Sequence, residues 1–197
     1  MKVAVLSTSP RPGSNSLKAA RYLKRVLAEQ GMNDVELFDF EEVDVPMVGR
    51  GSLDKNQLTP FQKQLLATWS TADLVIFTLP EYNWTTSAEF INTLHQLGGK
   101  DFAHLFNEKV FALVGVSTGR GGRQPCLEIN MVINKLISFL NQYAVVSPKL
   151  FESHETNKNL DEEGNSTGNP IYEKGVKDFV SYTLKIARKW HGAAIEA

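Results

Sequence analysis

A single cysteine, Cys126, occurs among 197 residues. No disulfide framework and no multi-cysteine metal site can be built from it within one chain, and a reducing compartment is its natural setting. Neither charge dominates: 21 Lys and Arg stand against 22 Asp and Glu, a net charge of −1. That balance argues against a nucleic-acid surface and for a small or neutral partner. No apolar stretch approaches the roughly 20 residues that a membrane span needs. The opening MKVAVLSTSP is too short in its apolar run for a signal peptide. The expectation is therefore a cytoplasmic protein with no membrane partner, and the glycosylation-type triplets at Asn83 and Asn165 carry no weight. The four histidines (His95, His104, His154 and His191) are too scattered to suggest a metal site. There is no G-x-x-x-x-G-K-[ST] for a nucleotide triphosphatase. A cysteine phosphatase is also excluded, because Cys126 is remote from the first loop and Val132 stands where C-x5-R needs arginine.

What is present is a hydrophobic share of 42%, enough for one domain with a substantial core over residues 1–197. Short continuous apolar runs at Lys2–Ser7, Val35–Phe40, Asp73–Pro80, Lys109–Ser117 and Ala144–Phe151 read as five strands. Between them apolar residues recur at helical spacing. Ser16 is the expected cap of a first helix ended by Gly31, and Thr59 of one carrying Leu65, Leu66 and Trp69. A third helix runs from Ser87 to about Leu97, and a fourth is marked by Ile129 to Leu140. Residues 153–170 are polar and rich in turn formers, an expected exposed loop, and 171–190 form an amphipathic C-terminal helix. This alternation predicts an α/β three-layer sandwich, a five-stranded parallel sheet with helices on both faces. In such sheets ligands sit outside the carboxyl ends of the strands.

Three of those ends carry unusual chemistry. After the first strand, VLSTSPRPGSNS offers hydroxyls and one arginine at a helix start, a donor set suited to phosphate or simply to capping a helix. After the third, LPEYNWTTS supplies a rigid turn, an aromatic and an amide, which suit a flat heteroaromatic ring or ordinary packing over a strand end. After the fourth, GVSTGRGGRQP has Gly119, Gly121 and Gly122 within four positions, letting main chain approach a ligand closely. Side by side in one sheet, the three describe an elongated ligand with a phosphate at one end and a flat ring at the other.

At these loops the chain resembles the NAD(P)H-dependent FMN reductase family, whose fold is flavodoxin-like. The family's G-S-x-R-x-x-S-x-N is approached within Ser7 to Ser16, which lacks its first glycine; its P-x-Y-N is intact as Pro80-Glu81-Tyr82-Asn83, and its S-x-G-x-x-G-G is matched one residue shorter by Ser117 to Gly122. Beyond P-x-Y-N the pattern departs: Ser87 replaces a proline and His95 an acid. The resemblance implies an FMN phosphate cradle at Ser9, Arg11, Ser14, Asn15 and Ser16. It implies ring-edge contacts at Pro80, Glu81, Tyr82 and Asn83. A turn on the ring's other side would comprise Ser117, Thr118, Gly119, Gly121 and Gly122. NADPH or NADH would be the co-substrate, and a quinone, azo compound or free flavin the small-molecule acceptor. The dipole of the helix after the glycine loop would help to hold the negative charge of reduced flavin. Arg11, Arg120 and Arg123 are candidates for the extra phosphate of NADPH. Surplus apolar residues (Leu127, Met131 and Phe139 off the main helix face, Trp84 and Phe90 beside the ring loop) suggest a homodimer or homotetramer. The alternative is a flavodoxin-type electron carrier, which would need an acidic docking face at odds with the charge balance.

Overall fold

Five parallel strands lie in the spatial order β2-β1-β3-β4-β5 in the computed structural model, which describes residues 1–192. They are β1 (Val3–Ser7), β2 (Val35–Asp39), β3 (Leu74–Pro80), β4 (Lys109–Val116) and β5 (Ala144–Val146), and a sixth, β6 (Phe151–Ser153), also pairs with β4. Every residue of β1, β3 and β4 is buried, as continuous apolar runs between two helical layers require. The period of two sends Val3 and Val5 to one face with Leu74, Ile76, Val110 and Ala112. Ala4, Leu6, Phe77 and Phe111 point to the other.

Helices α1 (Asn15–Glu29) and α6 (Pro170–Trp190) cover the first face, through Leu23, Leu27, Phe179 and Leu184. Helices α2 (Pro60–Thr71), α3 (Ala88–Leu97) and α4 (Arg123–Phe139) cover the second, around Trp69, Phe90, Ile129 and Ile133. The Thr59 cap forms as a reciprocal pair with Gln62. Ser14, not Ser16, caps α1: it is the last residue with extended backbone, and its hydroxyl accepts from the Leu17 amide at 3.1 Å. Buried Lys109 donates to the carbonyls of Ser70 (3.0 Å) and Ala72 (2.6 Å) at the end of α2, and burial lowers its pKa.

Two expectations need correction. The run Ala144–Phe151 is not one strand. Val146 stands opposite Phe111 and Phe151 opposite Val114, so the intervening segment with Pro148 is longer than its counterpart on β4 and loops out. Nor is 153–170 simply exposed. It opens with β6, turns through the short α5 (Thr156–Asn159) and buries Ser153, Thr156 and Leu160. Its polar groups bond inward: the Ser153 hydroxyl meets those of Thr156 (2.7 Å) and Tyr172 (2.8 Å). From β1 the chain moves outward to β2 and then returns to β3 on the opposite side, so the loops after β1 and β3 diverge and leave a crevice at the strand ends.

Candidate active site

The loop after β1 folds back over β3. Thr8 donates from both its amide (3.2 Å) and its hydroxyl (3.1 Å) to the Thr78 carbonyl, and Thr78 in turn donates to the Ser16 carbonyl at 2.9 Å. Ser87, the cap of α3, donates its hydroxyl to the Thr8 carbonyl at 2.7 Å. Three elements thereby hold one loop, and its tip faces the free amides at the start of α1.

A cavity of about 110 Å³ lies there. Its walls include Ser9, Arg11, Ser14, Asn15 and Ser16 from the first loop and Pro80, Glu81 and Tyr82 from the second; Val116 and Thr118 close it. Tyr82 joins the two loops: its hydroxyl shares a 2.8 Å hydrogen bond with that of Ser9, and the Arg11 guanidinium lies 4.3 Å above its ring. Such stacking leaves the fork of Arg11 oriented while it remains a cation. Ser16 is buried and its hydroxyl has no hydrogen-bond partner among the described residues. Helix amides, hydroxyl donors and a guanidinium around a small cavity fit a phosphate group.

A wider, open groove of about 720 Å³ adjoins this cavity. One wall is the second loop, where Asn83 and Trp84 both adopt positive φ (51° and 74°) in a tight turn closed by paired amide–carbonyl bonds between Tyr82 and Thr85. Glu128 on α4 secures that turn by accepting from the Thr85 hydroxyl (2.7 Å) and the Thr86 amide (3.2 Å). The other wall is Ser117, Thr118, Gly119, Arg120 and Gly121. Glu81 and Thr118 line both cavities, which therefore adjoin at the strand ends. All the residues expected at the site border it except Gly122, which lies beneath with its backbone against Gly115.

The glycine loop is held from three directions. A Cβ on Gly115 would fall on the Gly122 carbonyl, so strand and helix meet backbone to backbone. The Gly122 amide donates to the Glu81 carboxylate. On the outer side Ser117 donates its amide to the Ser153 carbonyl (3.1 Å), Thr156 donates to the Ser117 carbonyl (3.1 Å) and Glu155 to that of Gly119 (2.8 Å). Sequence reasoning missed Val116, Glu128 and this 153–156 brace; none has a local signal, because each acts through an element distant along the chain.

Several expectations change. Phe90 does not flank the ring loop: it is wholly buried against Phe40 and Phe77, because that side of α3 faces the sheet. Trp84, unlike Phe90, does border the groove and is 74% exposed. Arg123 pairs with Glu152 at 2.8 Å, and Glu152 also meets His154, while Arg120 is exposed. The N-terminal field of α4 is not left free for a ligand, since the Glu81 carboxylate already sits on it. Burial pushes the Cys126 thiol up to about 12, far from a reactive thiolate.

Sheet order defines a doubly wound α/β protein, and the donor-lined cavity and the groove beside it lie at the strand ends, where such folds place ligands. The model of the NADPH-dependent FMN reductase family matches residues 1–149, and the chain belongs to that family. It is an NAD(P)H-dependent oxidoreductase that works with FMN. It is 25% identical over 193 residues to the probable NADPH:quinone oxidoreductase 2 of Oryza sativa subsp. japonica, covering 98% of this chain and 91% of that protein. Among solved structures, the flavoenzyme NAD(P)H:(acceptor) oxidoreductase FerB from Paracoccus denitrificans superposes with a TM-score of 0.71 at 16% identity, over 96% of this chain and 98% of that one. The apo form of the NADH:FMN oxidoreductase EMOB gives 0.57 at 13% identity, over 93% and 89%. At such identities the superpositions establish a shared fold. Among the described residues no helix is long and apolar enough to cross a membrane.

Proposed function

We propose that the two adjoining cavities act as one passage that holds one FMN, phosphate end at the start of α1 and ring end between the Glu81–Asn83 turn and the glycine loop, and that the protein reduces a small quinone, azo compound or free flavin. The observation that carries this reading is that a donor-lined cavity and an open groove, sharing Glu81 and Thr118 in their walls, adjoin at the switch point. Bound FMN supplies a ring that takes a hydride from NADPH or NADH and passes two electrons onward. Ser9, Ser14, Asn15 and Ser16 supply hydrogen-bond donors to the phosphate, and Arg11, braced on Tyr82, supplies its counter-charge. Pro80, Glu81, Tyr82 and Asn83 present a rigid edge; Ser117, Thr118, Gly119 and Gly121, seated on Gly122, form the opposite wall. The open side, where Trp84 and Arg120 are exposed, admits nicotinamide and acceptor in turn. A quinone leads the acceptors because the curated relative is named for that activity.

The same reading includes a cytoplasmic location and a homodimer or homotetramer. Helix α4 supports association: Met131 and Phe139 are each 67% exposed and border an apolar groove of about 590 Å³ with Leu136. Sedimentation of the active protein tests it, and a fully active monomer refutes it. For the main reading, the purified protein is expected to be yellow, to release FMN on denaturation and to oxidise NADPH with a quinone present. Bound FMN that neither nicotinamide bleaches in a stopped-flow trace leaves the electron carrier instead, and a colourless protein with no affinity for FMN defeats both.

A further inference from the structure

Helix α4 has no cap of its own. Its N-cap is Gly122, without a side chain, and its first turn carries no acidic residue. In a helix of 17 residues, that leaves unpaired amides and a partial positive charge at the N-terminus. The cap comes from across the groove, where the Glu81 carboxylate accepts from the Gly122 amide. Glu81 is fixed at its other end too, since its amide donates to the Val116 carbonyl at 2.9 Å. It therefore bridges the end of β4 and the start of α4, the two borders of the glycine loop. Gly121 follows from this arrangement, because a Cβ there would overlap the carboxylate. Glu81 also lines both cavities, so a molecule that occupies them lies beside this residue.

We propose that Glu81 is a positioning residue that caps α4 from the opposite wall and, by placing a fixed negative charge at the ring end, makes the protein bind oxidised FMN more tightly than reduced FMN. The proposal rests on the FMN reading above. An uncapped helix N-terminus at this point would favour added negative charge on a neighbouring ring. With a carboxylate already on it, the site repels that charge. Bound FMN is then kept a ready donor, which suits an enzyme that must pass two electrons on to an acceptor.

The test compares wild type with Glu81→Gln, which keeps an oxygen for the Gly122 amide but carries no charge. Dissociation constants are measured for oxidised FMN and for dithionite-reduced FMN by anaerobic titration. Wild type is expected to hold the oxidised form more tightly. In Glu81→Gln that preference should fall by about tenfold or more, equivalent to a rise of about 30 mV in the two-electron potential of bound FMN. A variant that binds FMN with an unchanged preference overturns the proposal. Should Glu81→Gln not fold, the wild-type potential decides: a value below that of free FMN supports the proposal, and one at or above it overturns it. Wild-type protein that binds neither form defeats the FMN reading and this proposal with it, an outcome distinct from the others.

Discussion

Gly13 and Gly122 both precede a helix and both hold positive φ, +57° and +105°, yet the two ends of the site treat them differently. A Cβ on Gly13 would meet nothing within 4 Å, whereas one on Gly122 would lie 2.7 Å from the Gly115 carbonyl. The proposed phosphate end draws most of its donors from one short segment, a turn, a serine cap and helix amides within a few residues of one another, although Thr78, Ser87 and Tyr82 hold that segment in place. At the proposed ring end the two loops are held by Glu81, Gly115, Glu128 and the 153–156 segment, most of them distant along the chain. At the first end glycine relieves only local backbone strain; at the second it makes room for another part of the molecule.

The sharpest way to break this contrast is Gly115→Ala. The added methyl must displace the Gly122 backbone, and the expected loss of stability is about 3 kcal/mol or more, read from the urea midpoint. A variant as stable as wild type would show that the ring end does not depend on that contact. Next comes Ser16→Ala. Its buried hydroxyl has no partner among the described residues, so stability without FMN should hold or rise, while FMN affinity should drop about tenfold or more through loss of a bond to a charged group. Equal affinity in the variant would remove Ser16 from the cradle.

Gly13→Ala should cost only about 1 kcal/mol, the price of positive φ for a residue with a Cβ, with the ring end unaltered. A loss matching that of Gly115→Ala would erase the distinction between the two ends. The smallest effect concerns Asp39, which stands opposite Ser7 at the end of β2. Burial raises its pKa, against the lowering effect of the Ser7 hydroxyl. The folded form thus binds the proton more tightly than the unfolded chain. The contribution is present below the unfolded carboxyl pKa and lost as pH climbs through the folded value. Asp39→Asn should raise Tm slightly at neutral pH and leave it unchanged near pH 3. Solvent screening of this part-buried group keeps the effect below about 1 kcal/mol. A stabilisation that persists unchanged at low pH would point to a cause other than the proton.

Element order was open to reading from the residues because strand and helix periods are local properties. Cap assignment was less so: Ser14 and Ser16 have the same chemistry, and the chain path decided which one turned into α1. The 153–170 segment misled for a related reason. Its serine and threonine residues look solvated until Tyr172 and the Ser117 carbonyl arrive as partners. Glu81 was expected among the ring-edge contacts, but nothing near it in the chain announces the amide it would cap.

The residue order alone specified the alternating elements, the donor-rich first turn and the glycine-rich fourth one, since each follows from the chemistry of neighbours a few positions apart. The meeting of Glu81 with Gly122, of Gly115 with the same helix start, and of Ser153–Thr156 with the glycine loop arose on folding. The first and last of those contacts join segments tens of residues apart, and the geometry of all three exists only once the sheet has set the strand ends side by side.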